Sequence, residues 1–316
     1  MRALITDMVS ENIKKLLLKN GAEVDYVFLP SHDELKEMIG KYDLLVMRVD
    51  PKIDREILDA AVNLKAITIC AVGTNHVDLD YAAQKGIRVT NAPGMNSNTV
   101  AELTISKMLD LARNTIPANN TVKNEHRWNK YNWMGIELQH KTLGIIGCGK
   151  IGSRVGHFAR AFDMEVIAFD PYLTEDEIAA RGASKVSFEA LLQRSDVISI
   201  HAPLTDETRN MISYPEFEQM KQGAILLNMA RGGMMNEEAA YDALKSKKVR
   251  GIGVDVMASE LSGAAMKGES IVDSPLFEFD NFIVSPHIAG GGTIDGLDII
   301  GECVQDRICE IFGYSR

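Results

Sequence analysis

The sequence predicts an α/β chain built on two doubly wound parallel sheets. Three observations carry that prediction. Short apolar runs alternate with helical patterns through the N-terminal part of the chain. After a long helical stretch the alternation resumes and continues almost to the C-terminus. The second series opens on the glycine loop "TLGIIGCGKIG" at Thr142–Gly152, fed by an apolar run and followed by a helical pattern. Strands and helices taking turns form parallel sheets with helices on both faces.

Taken in order, the first series of strands reads "RALITD", "VDYVFL", "DLLVMR", "KAITICAVG" and "IRVTNAP". Patterns such as "SENIKKLLLKNG" and "PKIDREILDAAVN" lie between them as helices. "SNTVAELTISKMLDLARN" is one long helix without an internal break, and a polar segment through "NEHRWNKYNWMG" leads into the glycine loop. The second series reads "EVIAFD", "DVISIHAP", "AILLNMA", "GIGVDV" and "NFIVSP". The final "TIDGLDIIGECVQDRICEIFGYSR" is one amphipathic helix.

Composition narrows the function classes. With 316 residues, 46% hydrophobic and 25% charged, the chain is long enough for two separate cores. A net charge of -10 and a pI near 5.3 speak against a nucleic-acid or anionic-membrane surface, which needs a positive footprint. The basic run "KSKKVR" reads as a solvated helix end. Cys70, Cys148, Cys303 and Cys309 form no C-x-x-C pair and have no histidine at ligand spacing, so neither a disulfide framework nor a metal site is expected. No signal segment or membrane-length apolar run is present, and the expectation is a soluble cytoplasmic protein.

The glycine loop carries the first chemistry. Gly147 permits the tight turn, and Gly149 lets a pyrophosphate approach the backbone. Gly152 lets the following helix pack on the strand, while Lys150 and Ile151 open that helix toward the phosphates. The next strand ends at Asp170, where a carboxylate can accept from both adenosine ribose hydroxyls. An acid there repels a 2′-phosphate, and Pro171 and Tyr172 supply no cation, so the expected cofactor is NAD rather than NADP.

Ligands of such sheets sit outside the carboxyl ends of the strands. Arg231, Asp255, Glu260 and His287 all follow successive second-series strands. A guanidinium can clamp a carboxylate, an imidazole can move a proton on or off a hydroxyl, and a carboxylate can orient that imidazole. Each also has an ordinary structural reading, as a surface cation, a helix-start acid or a turn residue. Beside a cofactor loop the set reads as catalytic.

Through "NSNTVAELT", "MGIELQHKTLGIIGCGKIG", "HAPLTDETRNMI", "NMARGG", "EEAAYDAL" and "SPHIAGG", the chain resembles the NAD-dependent D-2-hydroxyacid dehydrogenases, within them the D-3-phosphoglycerate dehydrogenase branch. The resemblance implies two Rossmann-like domains with the active site in the cleft between them. Residues 1–97 and the C-terminal helix 290–316 would form the substrate domain, and 98–289 the inserted NAD domain. It implies Arg231 on the substrate carboxylate and carbonyl, His287 as acid/base and Glu260 as its partner. Asp255, His201, Pro203, Met229, Ala230 and Gly290 would lie along the cofactor, and the N–H groups of Ala71, Val72 and Gly73 on the substrate carboxylate. Arg48 matches an arginine facing the substrate's far end. The resemblance also implies a homodimer through the cofactor domain, in which Lys130, beside Trp128, reaches the partner's substrate.

Some residues depart from the family pattern. Asn236 replaces an acid of the usual R-G-G-x-V-D run at a helix cap, "LSGAAMKGESIVDS" is longer than the usual link, and "AGGGT" replaces the small-polar ending after the histidine. Asp50 stands where an acid would not welcome a phosphate. The implied reaction is reversible hydride transfer between NADH and a 2-oxo acid, phosphoglycerate-like or small and aliphatic, giving a D-2-hydroxy acid. Two alternatives are an NAD(H)-sensing protein like the transcriptional C-terminal binding proteins, and a dehydrogenase of other substrates, such as formate or phosphonate, on the same scaffold.

Overall fold

In the computed structural model, which describes residues 1–74, 76–259 and 272–316, the chain divides into two compact units. The first comprises Met1–Asn96 with Gly290–Arg316. The second comprises residues 97–259 with Val272–Ala289.

The first unit carries β1 (Arg2–Ile5), β2 (Glu23–Tyr26), β3 (Leu44–Met47), β4 (Ala66–Ile69) and β5 (Arg88–Thr90), all parallel, in the order β2-β1-β3-β4-β5. Alternate residues feed opposite faces. Leu4, Leu45 and Ile67 join the core under the helices His32–Met38, Arg55–Ala60 and Leu79–Gln84. Ala3, Ile5, Leu44, Val46 and Ala66 join the one under Glu11–Lys19 and the C-terminal helix Ile294–Phe312. Burial on both sides is why these strands read as unbroken apolar runs. The C-terminal helix is tied in by Ser10 Oγ, which donates to Asp298 at 2.6 Å, and by the Arg88–Glu310 ion pair.

The second unit carries β6 (Thr142–Ile146), β7 (Glu165–Phe169), β8 (Ser184–Lys185), β9 (Val197–Ile200), β10 (Ala224–Asn228), β11 (Val249–Val254) and β12 (Phe282–Val284). Their parallel order is β12-β11-β10-β9-β6-β7-β8. The order reverses direction at β6, with β7 on one side and β9 on the other, which puts a crevice at the carboxyl ends of those strands. The helix Ser97–Arg113 lays Val100, Thr104, Met108 and Leu111 on this sheet as one continuous element. Within the polar segment after it, Thr115–Glu125 is also helical, entered through left-handed Asn114; only Pro117 of it is buried, so no apolar stripe announces it. Asn236 is the N-cap of Glu237–Lys245, its side chain accepting from Ala239 N–H at 2.9 Å. Among the described residues no helix is long and apolar enough to cross a membrane, and no three His, Cys, Asp or Glu side chains are grouped to hold a metal ion.

Candidate active site

The glycine loop connects β6 to the helix Lys150–Arg160, whose N-cap is Gly149. Gly147 sits at φ +89°, and a Cβ there would lie 2.8 to 2.9 Å from the main chain of His201 and Ala202, so only glycine fits. A Cβ on Gly152 would come within 2.2 Å of the Gly147 carbonyl, which keeps the helix tight on its strand. A Cβ on Gly149 would meet open space, which is what a diphosphate approaching the first helical N–H groups requires. Ile151, half-buried, packs on the core beneath.

Asp170, at the end of β7, is 9% exposed. Its Oδ2 accepts from Cys148 N–H and its Oδ1 from Tyr172 N–H, both at 3.0 Å. The acid therefore shapes the loop as well as presenting its remaining lone pairs. Arg181, which sequence reasoning missed, donates to the Cys148 carbonyl at 2.5 Å from the far side of β7. Burial pushes the Cys148 thiol pKa up, against the pull of the Arg181 charge.

His201 follows β9 beside the loop. Its Nε2 is 2.8 Å from Ser199 Oγ, while its Nδ1 is buried without a partner. Burial pushes its pKa down to about 3, so the ring is neutral. The orphaned nitrogen, the open space at Gly149 and the strand-end acid together fit a bound dinucleotide. Pro203 is exposed, its carbonyl accepting from Thr208 Oγ1.

The three strand exits on the other side carry the ionisable set. After β10, buried Asn228 cinches the turn: its amide donates to the Arg231 carbonyl at 2.9 Å and its oxygen accepts from Ala230 N–H. Met229 is buried, Ala230 half-buried, and the exposed Arg231 guanidinium donates to the Ala230 carbonyl at 2.7 Å. Asp255, 1% exposed after β11, accepts from Ser285 Oγ at 2.5 Å, Ile288 N–H at 3.0 Å and Ala289 N–H at 2.7 Å. It organises the loop that holds His287 at φ +51°, where the His287 N–H donates to the Asp255 carbonyl at 2.9 Å. Asp255 and His287 are thus brought together, and Arg231 stands one strand away. Glu260 lies outside the described residues.

Lys107, on the helix Ser97–Arg113, was also missed. It is 3% exposed, and burial lowers its pKa against the opposing pull of Asp255 and Asp110. A lysine on the stripe of Thr104 and Leu111 was the available signal.

The first unit holds the rest. No N–H of Ala71, Val72 or Gly73 donates to a described residue, whereas the carbonyls of Ala71 and Val72 accept from Ala92 N–H and the Asn91 amide. Arg48 follows β3 with a buried, unpartnered Nε. Gly290 packs here, where a Cβ would lie 2.6 Å from the Asn96 amide. Lys130 belongs to the second unit, in an exposed segment with its ammonium 5.0 Å from the Tyr131 ring centroid.

Fold and site together define an α/β protein of the dinucleotide-binding class, with a histidine at a strand exit of the sheet that carries the glycine loop. Residues 105–289 match the family described as D-isomer specific 2-hydroxyacid dehydrogenase, NAD binding domain. The chain belongs to that family, and its second unit is the NAD-binding domain. It is 39% identical over 289 residues to a D-3-phosphoglycerate dehydrogenase of Archaeoglobus fulgidus, covering 92% of this chain and 53% of that protein. It is 36% identical over 313 residues to a hydroxypyruvate reductase of Thermotoga maritima, covering 99% and 98%. The crystal structure of D-lactate dehydrogenase from Aquifex aeolicus complexed with NAD and lactic acid superposes with a TM-score of 0.81 at 33% identity, covering 98% and 96%. The chain spans about half the length of the phosphoglycerate dehydrogenases it matches.

Proposed function

We propose that the chain is an NAD-dependent oxidoreductase that interconverts a 2-oxo acid and a D-2-hydroxy acid. The observation that carries the reading is the coupling of His287 to Asp255 at neighbouring strand exits of the NAD-binding domain, with Arg231 on the next strand. Bound NAD(H) supplies or accepts the hydride. Gly149 and the first turn of Lys150–Arg160 receive the diphosphate, and Asp170 accepts from the adenosine ribose. Arg231 pairs with the substrate carboxylate and draws electron density from its carbonyl oxygen. His287 delivers a proton to that oxygen in reduction and removes it in oxidation. Glu260 is assigned by family resemblance as the partner of His287. The N–H groups of Ala71, Val72 and Gly73, which donate to no described residue, are assigned to a substrate carboxylate by family resemblance.

The reading includes a homodimer through the NAD-binding domain. Trp128 (87% exposed), Tyr131 (74%) and Met134 (73%) form an apolar segment suited to burial against a second copy. Sedimentation of the purified chain tests it, and a monomer at working concentration rejects it.

The deciding experiment is NADH oxidation against hydroxypyruvate, 3-phosphohydroxypyruvate, pyruvate, 4-methyl-2-oxopentanoate and phenylpyruvate. Turnover of at least one, abolished by His287→Gln, is expected. Tight NADH binding with no turnover of any would favour a sensing protein instead.

A further inference from the structure

The carboxyl edge of the first unit's sheet carries a group of polar side chains that the reaction above does not use. The strand order β2-β1-β3-β4-β5 places the exits of β1, β3 and β4 side by side. The 71–73 loop leaves β4, Arg48 leaves β3, and Asp7 leaves β1. A carboxylate held at the 71–73 loop therefore has Arg48 and then Asp7 as its successive neighbours along this edge.

Arg48 is fixed by packing. A Cβ on Gly291 would lie 1.8 Å from its Nη2, so the guanidinium occupies the space that only glycine at 291 leaves. Its Nε is buried without a hydrogen-bond partner. His76 is 7% exposed, and its ring lies against the Arg48 main chain without a well-formed hydrogen bond to any described residue. Thr6 Oγ1, next to Asp7 in the chain, is buried and unpartnered as well. Buried polar atoms are nearly always satisfied, and several orphans along one edge mark a place that a polar ligand completes.

The charges say which ligand. Asp50 follows Arg48 by two residues at the β3 exit, the His76 carbonyl accepts from Ile53 N–H at 2.8 Å, and β1, which Asp7 leaves, pairs with β3, so the four groups share one locality. Burial raises the Asp7 pKa against the opposing pull of Arg48, and burial lowers that of His76 against Asp50. Around a neutral His76 the edge thus offers two carboxylates and one guanidinium. A phosphate would bring a double negative charge against both acids, and an ammonium would meet Arg48. A hydroxyl meets neither conflict, because it donates to a carboxylate and accepts from a guanidinium.

We propose that Asp7 and Asp50, flanking Arg48, select a 2-oxo acid whose far end is an uncharged hydroxyl-bearing group and turn phosphate away. The proposal rests on the 2-oxo acid reading above, deepens it to a substrate class, and assigns Asp7 and Asp50 as specificity-determining residues.

Two matched pairs test it on the full chain. Hydroxypyruvate and 3-phosphohydroxypyruvate are compared as substrates with NADH. D-Glycerate and 3-phospho-D-glycerate are compared by calorimetry in the presence of NAD. The hydroxyl-ended member of each pair is expected to be favoured by about 100-fold or more, the range that unfavourable charge juxtaposition reaches at a binding surface. Asp50→Asn and Asp7→Asn should each shrink that preference roughly tenfold, mainly through KM, and Asp50→Lys should reverse it. An equal or greater preference for the phosphorylated member in the wild type overturns the proposal, as does an unchanged preference in the Asp50 variants. Failure to reduce either acid would remove the proposed reaction while the calorimetry still judges the far-end selection. Failure of both glycerates to bind would remove the selection itself. Should Asp7→Asn not fold, the two Asp50 variants decide.

Discussion

The main chains of Asp255 and His287 are joined by a 2.9 Å hydrogen bond from the His287 N–H to the Asp255 carbonyl, and the Asp255 carboxylate grips the same loop through Ser285, Ile288 and Ala289. A backbone at φ +51° is unusual for a residue with a side chain, and these bonds hold it there.

The first prediction follows from that grip. An asparagine at 255 has one acceptor oxygen and a donor amide, so it cannot satisfy a hydroxyl and two N–H groups as the carboxylate does. Asp255→Asn should cost about 1.5 to 3 kcal/mol of stability, the value of hydrogen bonds to a charged group. It should lower kcat by roughly 10 to 100-fold through misplacement of His287. Urea unfolding and steady-state kinetics check both, and a variant with unchanged kcat would detach Asp255 from the positioning of His287.

The second prediction isolates the proton. His287→Gln should lower turnover by ~10²-fold or more, the usual contribution of general acid catalysis. NADH affinity, measured by fluorescence titration, should remain near that of the wild type. Retention of turnover would return His287 to the role of a turn residue.

How much of this was legible in the sequence depends on where each residue's partners lie. The strands were readable because both faces of each sheet are covered, so Leu44–Met47 and Ala224–Asn228 are apolar at nearly every position. Gly147, Gly149, Gly152 and Asp170 were readable because their spacing is set locally by one turn and one neighbouring strand. The helix Thr115–Glu125 was not, since burying only Pro117 leaves no periodic pattern. Nor was the hold of Asp255 on residues 285–289, which depends on hydrogen bonds about thirty positions along the chain. Asp7 looked like the polar end of a strand. Only the sheet order, which seats β1 against β3, brings it next to Arg48.

The third prediction concerns cofactor choice. Asp170→Ala removes the proposed acceptor of the ribose and also the partner of the Cys148 and Tyr172 N–H groups. NADH affinity should fall by roughly 1.5 to 3 kcal/mol, and discrimination against NADPH should relax. A wild type equally efficient with NADPH would show that Asp170 does not meet the ribose.

The fourth prediction is a pH dependence. The folded-state pKa of His201 is depressed to about 3 by burial, whereas the unfolded ring titrates near ~6.5. Between those values only the unfolded chain binds the proton, so stability is fully present above ~6.5 and is lost as pH falls toward 3. His201→Asn should flatten that acid limb in a series of thermal melts. An equally steep limb in the variant would assign it to other groups.

The last prediction concerns Lys107, a cation in the wall behind the active site. Its stem packs on β11, where a Cβ on Gly253 would lie 3.3 Å from the lysine Cβ, and none of the described ion pairs includes its ammonium. Burial is the larger influence on its pKa and acts against the charged form, with Asp255 and Asp110 offsetting part of it. A depressed lysine contributes its full stability only above its unfolded pKa, so at neutral pH its charge is a net cost. Methionine has nearly the same length and no charge to desolvate. Replacement of buried charges by apolar groups of similar volume is often stabilising. Lys107→Met is therefore expected to raise the unfolding midpoint by about 2 to 4 °C, the equivalent of roughly 1 kcal/mol in a chain of this class. The gain should shrink as the pH approaches that of the free amine, because the wild type then loses its penalty. A midpoint lowered at neutral pH would mean that the attraction to Asp255 outweighs desolvation, and a loss of kcat alongside it would place Lys107 among the supports of the His287 loop.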